Sequence, residues 1–162
     1  MTWTIVVVFL LSLGLFLRRA SKGPARTPET LEWPIRGLLR QGYNGGYLLI
    51  KVARSNKFLQ LDKYIRAPGE YGIELAFPKA EWSLQYFERL LDFCRNHGIE
   101  FRISSSSPGD PMEFLCIDFG NDYVRANDIV RKILVSVLDT PKDHRVYFKL
   151  ENASTEDRLI ES

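Results

Sequence analysis

Residues 71–77 read Tyr71-Gly72-Ile73-Glu74-Leu75-Ala76-Phe77, and their pattern is the clearest indication of the fold class. Its large apolar side chains alternate with glycine, glutamate and alanine. Successive side chains of a strand point to opposite faces, so the alternation predicts a strand with one buried face and one wet face. Pro78 then ends the strand. The neighbouring sequence is therefore interpreted as the rest of an antiparallel sheet covered on one side.

Two further strands precede this one. Residues 47–53 form an apolar, β-branched run, and residues 57–65 alternate, with Gln60 and Asp62 on the polar face. The polar tract 54–56 between the two runs suits a hairpin turn. Strands joined by such short turns pair in antiparallel fashion.

A helix is predicted before these strands. Thr27 can cap it, and Pro28 suits its first position. Because Pro34 lies inside the apolar spacing, we expect a short or broken helix that ends before Gly42. Residues 43–47 contain two glycines and an asparagine, and are predicted to form a turn.

The remaining elements follow the stretch 71–77. Helical spacing of apolar residues predicts helices over 81–97 and 123–138. Strands are predicted at 100–104, 112–119 and 146–150. The second helix is capped by Asn121 or Asp122, and its apolar face is expected to consist of Val124, Ile129, Val130, Ile133, Leu134, Val137 and Leu138.

The resulting order, α-βββ-α-ββ-α-β, predicts an α+β fold in which the helices cover one face of an antiparallel sheet. The chain has 162 residues, enough for one ordinary domain and an appendage. This length excludes a TIM barrel, a complete protein kinase and a two-domain dehydrogenase. We assign residues 29–151 to the soluble domain and residues 152–162 to a polar tail, which is expected to fray.

The N-terminal segment differs in composition from this domain. Residues 2–17 carry no charge, and 16 helical residues span about 24 Å, slightly less than the ~30 Å hydrocarbon core of a bilayer. We expect residues 1–17 to form one transmembrane helix, with Trp3 at the far interface. A cleaved signal peptide and a buried core helix remain alternatives, but the segment lacks a basic start and a polar face.

Four basic residues and no acid lie in the first 26 residues, namely Arg18, Arg19, Lys22 and Arg26. They fall within a predicted linker, residues 18–28. By the positive-inside rule, the end of the anchor that carries these basic residues faces the cytoplasm. The prediction is thus a single-pass protein of the cell membrane with a cytoplasmic C-terminal domain. Removing these four from the 22 basic residues leaves 18 against 20 acidic residues, a net charge of −2. That balance disfavours a nucleic-acid partner.

Motifs for catalysis are weak. The chain has no phosphate-binding glycine loop, and the tripeptide 118–120 (Asp-Phe-Gly) stands without the other kinase motifs. Cys94 and His97 are three residues apart on a predicted helix, where a Cys–His nucleophile is conceivable. They lie at the helix C-terminus, which does not lower a thiol pKa. Cys94 and Cys116 are interpreted as buried apolar residues, and no catalytic, cofactor-binding or metal-binding residue is assigned.

Tyrosines offer the candidate partner contacts. Tyr43, Tyr47 and Tyr147 lie at predicted turns or strands outside the apolar stripes. Exposed tyrosines at a sheet edge can anchor a partner, although ordinary half-buried tyrosines are the alternative.

The order of elements over residues 28–138 resembles that of the bacterial sensory-transduction-regulator proteins and the type III secretion chaperones. The resemblance implies a non-catalytic domain that binds peptide segments or dimerises. The strand at 146–150 and the anchor depart from that pattern.

These observations predict a membrane-anchored, non-enzymatic binding or regulatory domain. It would engage a protein or peptide partner, or a second copy, at the cytoplasmic membrane face through an open sheet edge. The alternatives are an enzyme with a site near Cys94 and His97 or in the loop 104–111, and a secreted or periplasmic binding domain released by cleavage.

Overall fold

A computed structural model of the chain describes residues 25–105 and 112–161. It confirms the α+β class. The strands are β1 (Ala25–Arg26), β2 (Gly42–Val52), β3 (Phe58–Ala67), β4 (Glu70–Pro78), β5 (Arg102–Ser105), β6 (Glu113–Gly120) and β7 (Val146–Ala153). The helices are α1 (Glu32–Gln41), α2 (Leu84–Asn96) and α3 (Tyr123–Lys132). Short 3₁₀ turns precede α1 and α2, and a π-helix, Ile133–Val137, continues α3.

The described strands form one antiparallel sheet in the order β1-β7-β2-β3-β4-β6-β5. Strands β2, β3 and β4 are neighbours in space as in sequence, as the short turns between them predict. β6 pairs with β4 and places β5 at one edge. β7 returns to the other side, pairs with β2, and is itself bordered by the two-residue strand β1.

The three helices share one core with one face of this sheet. Alternate residues of the four central strands point into the core, and the helices contribute the other half. Its fully buried members include Ile35, Leu38, Leu48, Ile50, Leu59, Leu61, Ile73, Leu75, Phe77, Leu90, Leu115, Ile117, Val130, Ile133 and Leu134. The alternation of Ile73, Leu75 and Phe77 that predicts the covered face is therefore confirmed.

Local sequence explains how the helices begin. The first helical segment is broken as expected, with a 3₁₀ turn over Pro28–Thr30 before α1. Pro34 is the third residue of α1, where its missing N–H has no intrahelical acceptor in any case. Asp122, one of the two predicted caps, accepts a hydrogen bond from the Arg125 backbone N–H at 2.9 Å and begins α3.

Two local predictions are wrong. Residues 43–47 are not a turn: β2 already starts at Gly42 and continues through an irregularity in its pairing with β7. Gly45 has φ +75°, and a Cβ on Gly46 would lie 2.6 Å from the Asn152 carbonyl oxygen, so these glycines permit a bulge. Val124 is 60 % exposed, because at about 100° per residue it lies on the side of α3 opposite the buried Ala126 and Ile129.

The C-terminal tail is held against α1 over residues 154–160, contrary to the expected fraying. The backbone N–H of Ser154 donates to the Gln41 carbonyl, and that of Ile160 donates to the Arg40 carbonyl, both at 2.8 Å. Ile160 is buried, and Arg40 also pairs with Asp157 at 3.1 Å. The tail thus supplies donors to carbonyls that the end of a helix leaves without partners.

Lys63 explains why the tail is fixed there. It is the one charged side chain among the buried residues of the described chain, with 1 % exposure. Its Nζ donates to the carbonyls of Leu39, at 2.7 Å, and Ile160, and lies 5.1 Å from the centre of the Tyr71 ring. Burial lowers the pKa of Lys63 to about 8, against the raising effect of the Glu161 carboxylate.

The predicted anchor at residues 1–17 lies outside the described residues, as does the linker up to residue 24. In residues 25–105 and 112–161 no helix has the length and apolar character needed to cross a bilayer.

Candidate functional site

The face of the sheet opposite the helices carries the candidate site, and we call it the open face. It is formed by the odd-numbered residues of the regular parts of β2 and β7 and by the even-numbered residues of β3, β4, β5 and β6. None of the helices of the described chain belongs to its small apolar cluster, which consists of Leu49 and Phe58 with Trp82 packed against them. Within the described residues, the helices α1–α3 therefore cover only the opposite face of the sheet.

An acidic row crosses the open face. Strand register places Glu151, Tyr47, Asp62, Glu74 and Asp118 side by side on five neighbouring strands. Adjacent strands are about 4.8 Å apart, so each of these side chains directly faces the next. Four carboxylates in one row repel one another unless each has a partner.

Three of the four carboxylates have partners. Glu74 accepts hydrogen bonds from Arg102 Nη2 at both oxygens, at 2.7 and 2.8 Å. Asp118 accepts from the Tyr64 hydroxyl at 2.8 Å. Glu151 forms an ion pair with a lysine two residues earlier on β7.

Asp62 is the exception. Its only hydrogen bond to the described residues comes from Gln60 Nε2 at 2.8 Å, and no cation of these residues lies within 4.0 Å of it. Burial raises the pKa of Asp62 to about 6, the hydrogen bond from Gln60 opposes this, and the nearby Glu74 charge adds to it. A half-buried carboxylate is thus left without a counter-charge.

A pocket of about 260 Å³ opens beside Asp62. Carboxylate, amide and guanidinium groups line one end, and aromatic rings line the other. Its walls comprise Phe58, Gln60, Asp62, Glu74, Ala76, Pro78, Arg102, Ser104, Ser105, Phe114 and Cys116. Phe58 is fixed by Trp82, whose ring centre is 4.8 Å away. The combination of apolar walls with a few convergent polar groups is typical of binding sites.

The predicted partner contacts are only partly brought together. Tyr47 and Tyr147 share the open face on β2 and β7, where Tyr47 lies next to Asp62. Burial and, secondarily, the Asp62 charge raise the pKa of Tyr47. Tyr43 is 39 % exposed in the irregular start of β2. None of the three lines the pocket, which lies on the β3–β5 side.

Of the four predicted topology residues, Arg18, Arg19 and Lys22 lie outside the described residues. Arg26 forms half of β1, opposite Val146 of β7. Its guanidinium lies 5.8 Å from the centre of the Trp33 ring, which is itself 63 % exposed. The chain thus enters the described domain at the β7 edge of the sheet.

Burial of Cys94 argues against the alternative nucleophilic site at Cys94 and His97. Cys94 has no exposed surface, and burial raises the pKa of its thiol to about 11. His97 Nδ1 forms a hydrogen bond with the Phe93 carbonyl at 2.9 Å. Cys116 lines the pocket, but burial, followed by the Glu74 charge, also raises its pKa to about 11. Both thiols therefore stay protonated near neutral pH.

Comparison of the chain with protein-family models, with curated proteins and with solved structures gave no match. The residues described in the structure contain no group of three or more His, Cys, Asp or Glu side chains placed to hold a metal ion.

Sequence reasoning placed Gln60, Asp62 and Glu74 on the wet face but assigned none of them to a site. The signal it lacked is register, because Glu74 meets Asp62 only through the pairing of β3 with β4. Arg102 meets Glu74 across β6, a neighbour that local sequence does not reveal.

Proposed function

We propose that this chain is a membrane-tethered, non-enzymatic binding module whose open face engages a peptide segment of a protein partner on the cytoplasmic side. The observation that carries the proposal is the pocket beside Asp62, a half-buried carboxylate that receives one hydrogen bond and no ion pair from the described residues. Such a group is costly in an isolated domain and is compensated when a partner supplies the missing contacts.

The chemistry of the pocket supports recognition. Its polar groups are a carboxylate, an amide, the Glu74–Arg102 pair and two serines, and its thiol is held protonated. Groups of this kind orient a ligand through hydrogen bonds and charge.

The position of the pocket also supports a tethered module. The N-terminal segment joins the sheet at β1, whereas the pocket extends from β3 to the opposite edge, β5. With strands about 4.8 Å apart, these regions are separated by roughly 14–29 Å. A tether at β1 therefore leaves the pocket accessible, and it raises the effective concentration near a membrane partner.

The β5 edge can extend the contact. β5 pairs only with β6 within the described residues, so its outer backbone groups face away from the sheet. Ile103 on this edge is 45 % exposed. An extended partner segment can hydrogen-bond there while its side chains reach the open face.

Membrane attachment is tested with the full chain carrying a reporter after Ser162 that is active only in the cytoplasm. We expect activity in intact cells and retention of the uncleaved chain in the membrane fraction after alkaline washing. Release of the intact chain, or a mature N-terminus beyond residue 17, would contradict the tether.

Partner binding is tested by selecting peptides from a random displayed library on the full chain in nanodiscs. Ser104→Trp places a bulky side chain at the pocket, and Val124→Trp is the matched control on an exposed site of α3. We expect the selected peptides to bind the Val124 variant like the wild type, and the Ser104 variant at least tenfold more weakly. Failure to enrich peptides, or equal binding to both variants, would reject the proposed function.

A further inference from the structure

We infer that the pocket receives an arginine or lysine side chain of the partner segment, with the cationic end against Asp62. The inference rests on the proposed function and specifies the ligand chemistry of the same site. The charges, the shape and the lining of the pocket support it.

The charge balance of the pocket is negative. Asp62 and Glu74 contribute two carboxylates, and Arg102 is the one cation that lines it. Arg102 Nη2 is already used by both oxygens of Glu74. A single positive charge from outside therefore neutralises the site, whereas an anion would face two carboxylates.

The hydrogen-bond capacity of Asp62 also favours a cationic ligand. An ionised carboxylate has about four acceptor positions, and the described residues supply one donor, the Gln60 amide. A guanidinium or ammonium group brings several donors together with its charge. Hydrogen bonds in which both partners are charged are roughly twice as strong as neutral ones.

The floor of the pocket suits the stem of such a side chain. Gln60, Ala76, Cys116 and, at the β5 edge, Arg102 form the row next to Asp62, about 7 Å further along the strands. Ala76 and Cys116 present apolar surface, on which the methylene groups of arginine or lysine can lie. The methylene stem spans a similar distance, so a cation at Asp62 places the partner backbone above this row.

The row beyond Gln60, Ala76 and Cys116 holds two aromatic rings. Phe58 and Phe114 lie at the end of the pocket away from Asp62. They suit an apolar neighbour of the basic residue in an extended segment. A volume of about 260 Å³ is near the lower limit for small-molecule pockets, ~300 Å³, so one long side chain fills much of it.

The test compares a cationic ligand with a neutral ligand of nearly the same shape. N-acetyl-arginine methylamide and its neutral isostere, N-acetyl-citrulline methylamide, are titrated into the full chain in nanodiscs, with backbone amide resonances as the readout. We expect saturable shifts in β3 and β4 with the arginine ligand and at least tenfold weaker binding of citrulline. Equal binding of the two ligands, or no binding of either, would overturn the inference.

Two variants locate the cation. Asp62→Asn removes the charge and keeps the shape, and we expect it to weaken arginine binding at least tenfold. Asp118→Asn is the matched control, since Asp118 lies in the same acidic row but does not line the pocket. It should bind within twofold of the wild type. An unchanged affinity of the Asp62 variant would place the cation elsewhere and overturn the inference.

The two proposals fail in distinguishable ways. Selected peptides that require Ser104 but contain no basic residue, and do not respond to Asp62→Asn, would reject the basic side chain and leave the binding module standing. Arginine binding at Asp62 without any selected peptide would reject the peptide-binding function and leave a site for a small cation.

Discussion

Asp62 and Lys63 are neighbours in sequence, yet they lie on opposite faces of β3. Lys63 points into the helix-covered core, where two carbonyl oxygens and the Tyr71 ring surround its ammonium group. Asp62 points to the open face, where one amide donates to it. The covered face supplies two hydrogen-bond acceptors to its charged group, whereas the described residues of the open face supply one donor to Asp62.

The contrast follows from what each face can supply. A buried charge is tolerated only when other groups replace its hydration. On the covered face, the end of α1 and the C-terminal tail provide carbonyls that lack other partners, through Leu39 and Ile160. On the open face, Arg102, the one cation that lines the pocket beside Asp62, is engaged by Glu74.

The largest expected effect on stability concerns the covered face of the sheet. Lys63→Met keeps most of the apolar stem but leaves the Leu39 and Ile160 carbonyls without a donor. We expect a loss of about 2–3 kcal/mol in the free energy of unfolding, measured by denaturant titration of the full chain in detergent. Proteolysis should also release the tail earlier.

Lys51→Met is the matched control, because Lys51 lies on the open face of β2, beside Phe58. Its expected effect on the free energy of unfolding is below about 0.5 kcal/mol. Equal effects of the two substitutions would remove the distinction between the faces.

A smaller effect of opposite sign is expected at Asp62. Since its folded-state pKa of about 6 exceeds the ordinary value of 3.8, the folded protein binds the proton more tightly than the unfolded chain does. Wild-type stability should therefore fall as the pH rises from about 4 to about 7. Asp62→Asn removes this loss, so we expect it to stabilise the protein by about 1–2 kcal/mol at pH 7.5, after allowance for partial exposure, and by almost nothing at pH 4.

The measurement is urea unfolding of both proteins at several pH values. Asp118→Asn serves as the comparison, because Asp118 is hydrogen-bonded by the Tyr64 hydroxyl and by the Gly120 backbone N–H. That variant should not gain stability. A destabilised Asp62 variant at pH 7.5 would mean that Asp62 is already satisfied within the chain.

The smallest effect concerns the satisfied part of the acidic row. Tyr64→Phe removes the hydroxyl that donates to Asp118 at 2.8 Å while keeping the ring above Gly72. We expect a loss of about 0.5–1 kcal/mol in the free energy of unfolding and no change in peptide binding. Weaker peptide binding in this variant would show that the binding site extends along the whole row.

The sequence predicted most of the fold because most of it is local. Alternation at Ile73, Leu75 and Phe77 and helical spacing in α2 identify faces that the structure confirms. The failures involve distant partners. The bulge at Gly46 depends on the close approach of Asn152, and the fixed tail depends on Lys63.

The site could be predicted only in part, for the same reason. Local alternation places Asp62 and Glu74 on the strand face opposite the apolar residues, as the structure has them, although both are half-buried there. Strand order and register bring Asp62 beside Glu74 and allow Glu74 to bind Arg102. They also place the rings of Phe58 and Phe114 at the other end of the pocket. A carboxylate without a counter-charge is a property of the assembled sheet, which single residues do not reveal.

The most direct test of the account asks which face a partner touches. A peptide from the selection, carrying a benzophenone group, is photo-crosslinked to the full chain in nanodiscs, and the adducts are mapped by mass spectrometry. We expect adducts on the open face beside the pocket, on β5 and β6 around Ser104 and Phe114, and their loss when unlabelled peptide competes. Adducts confined to the helices α1–α3 or to the C-terminal tail would contradict the claim that the open face is the binding surface.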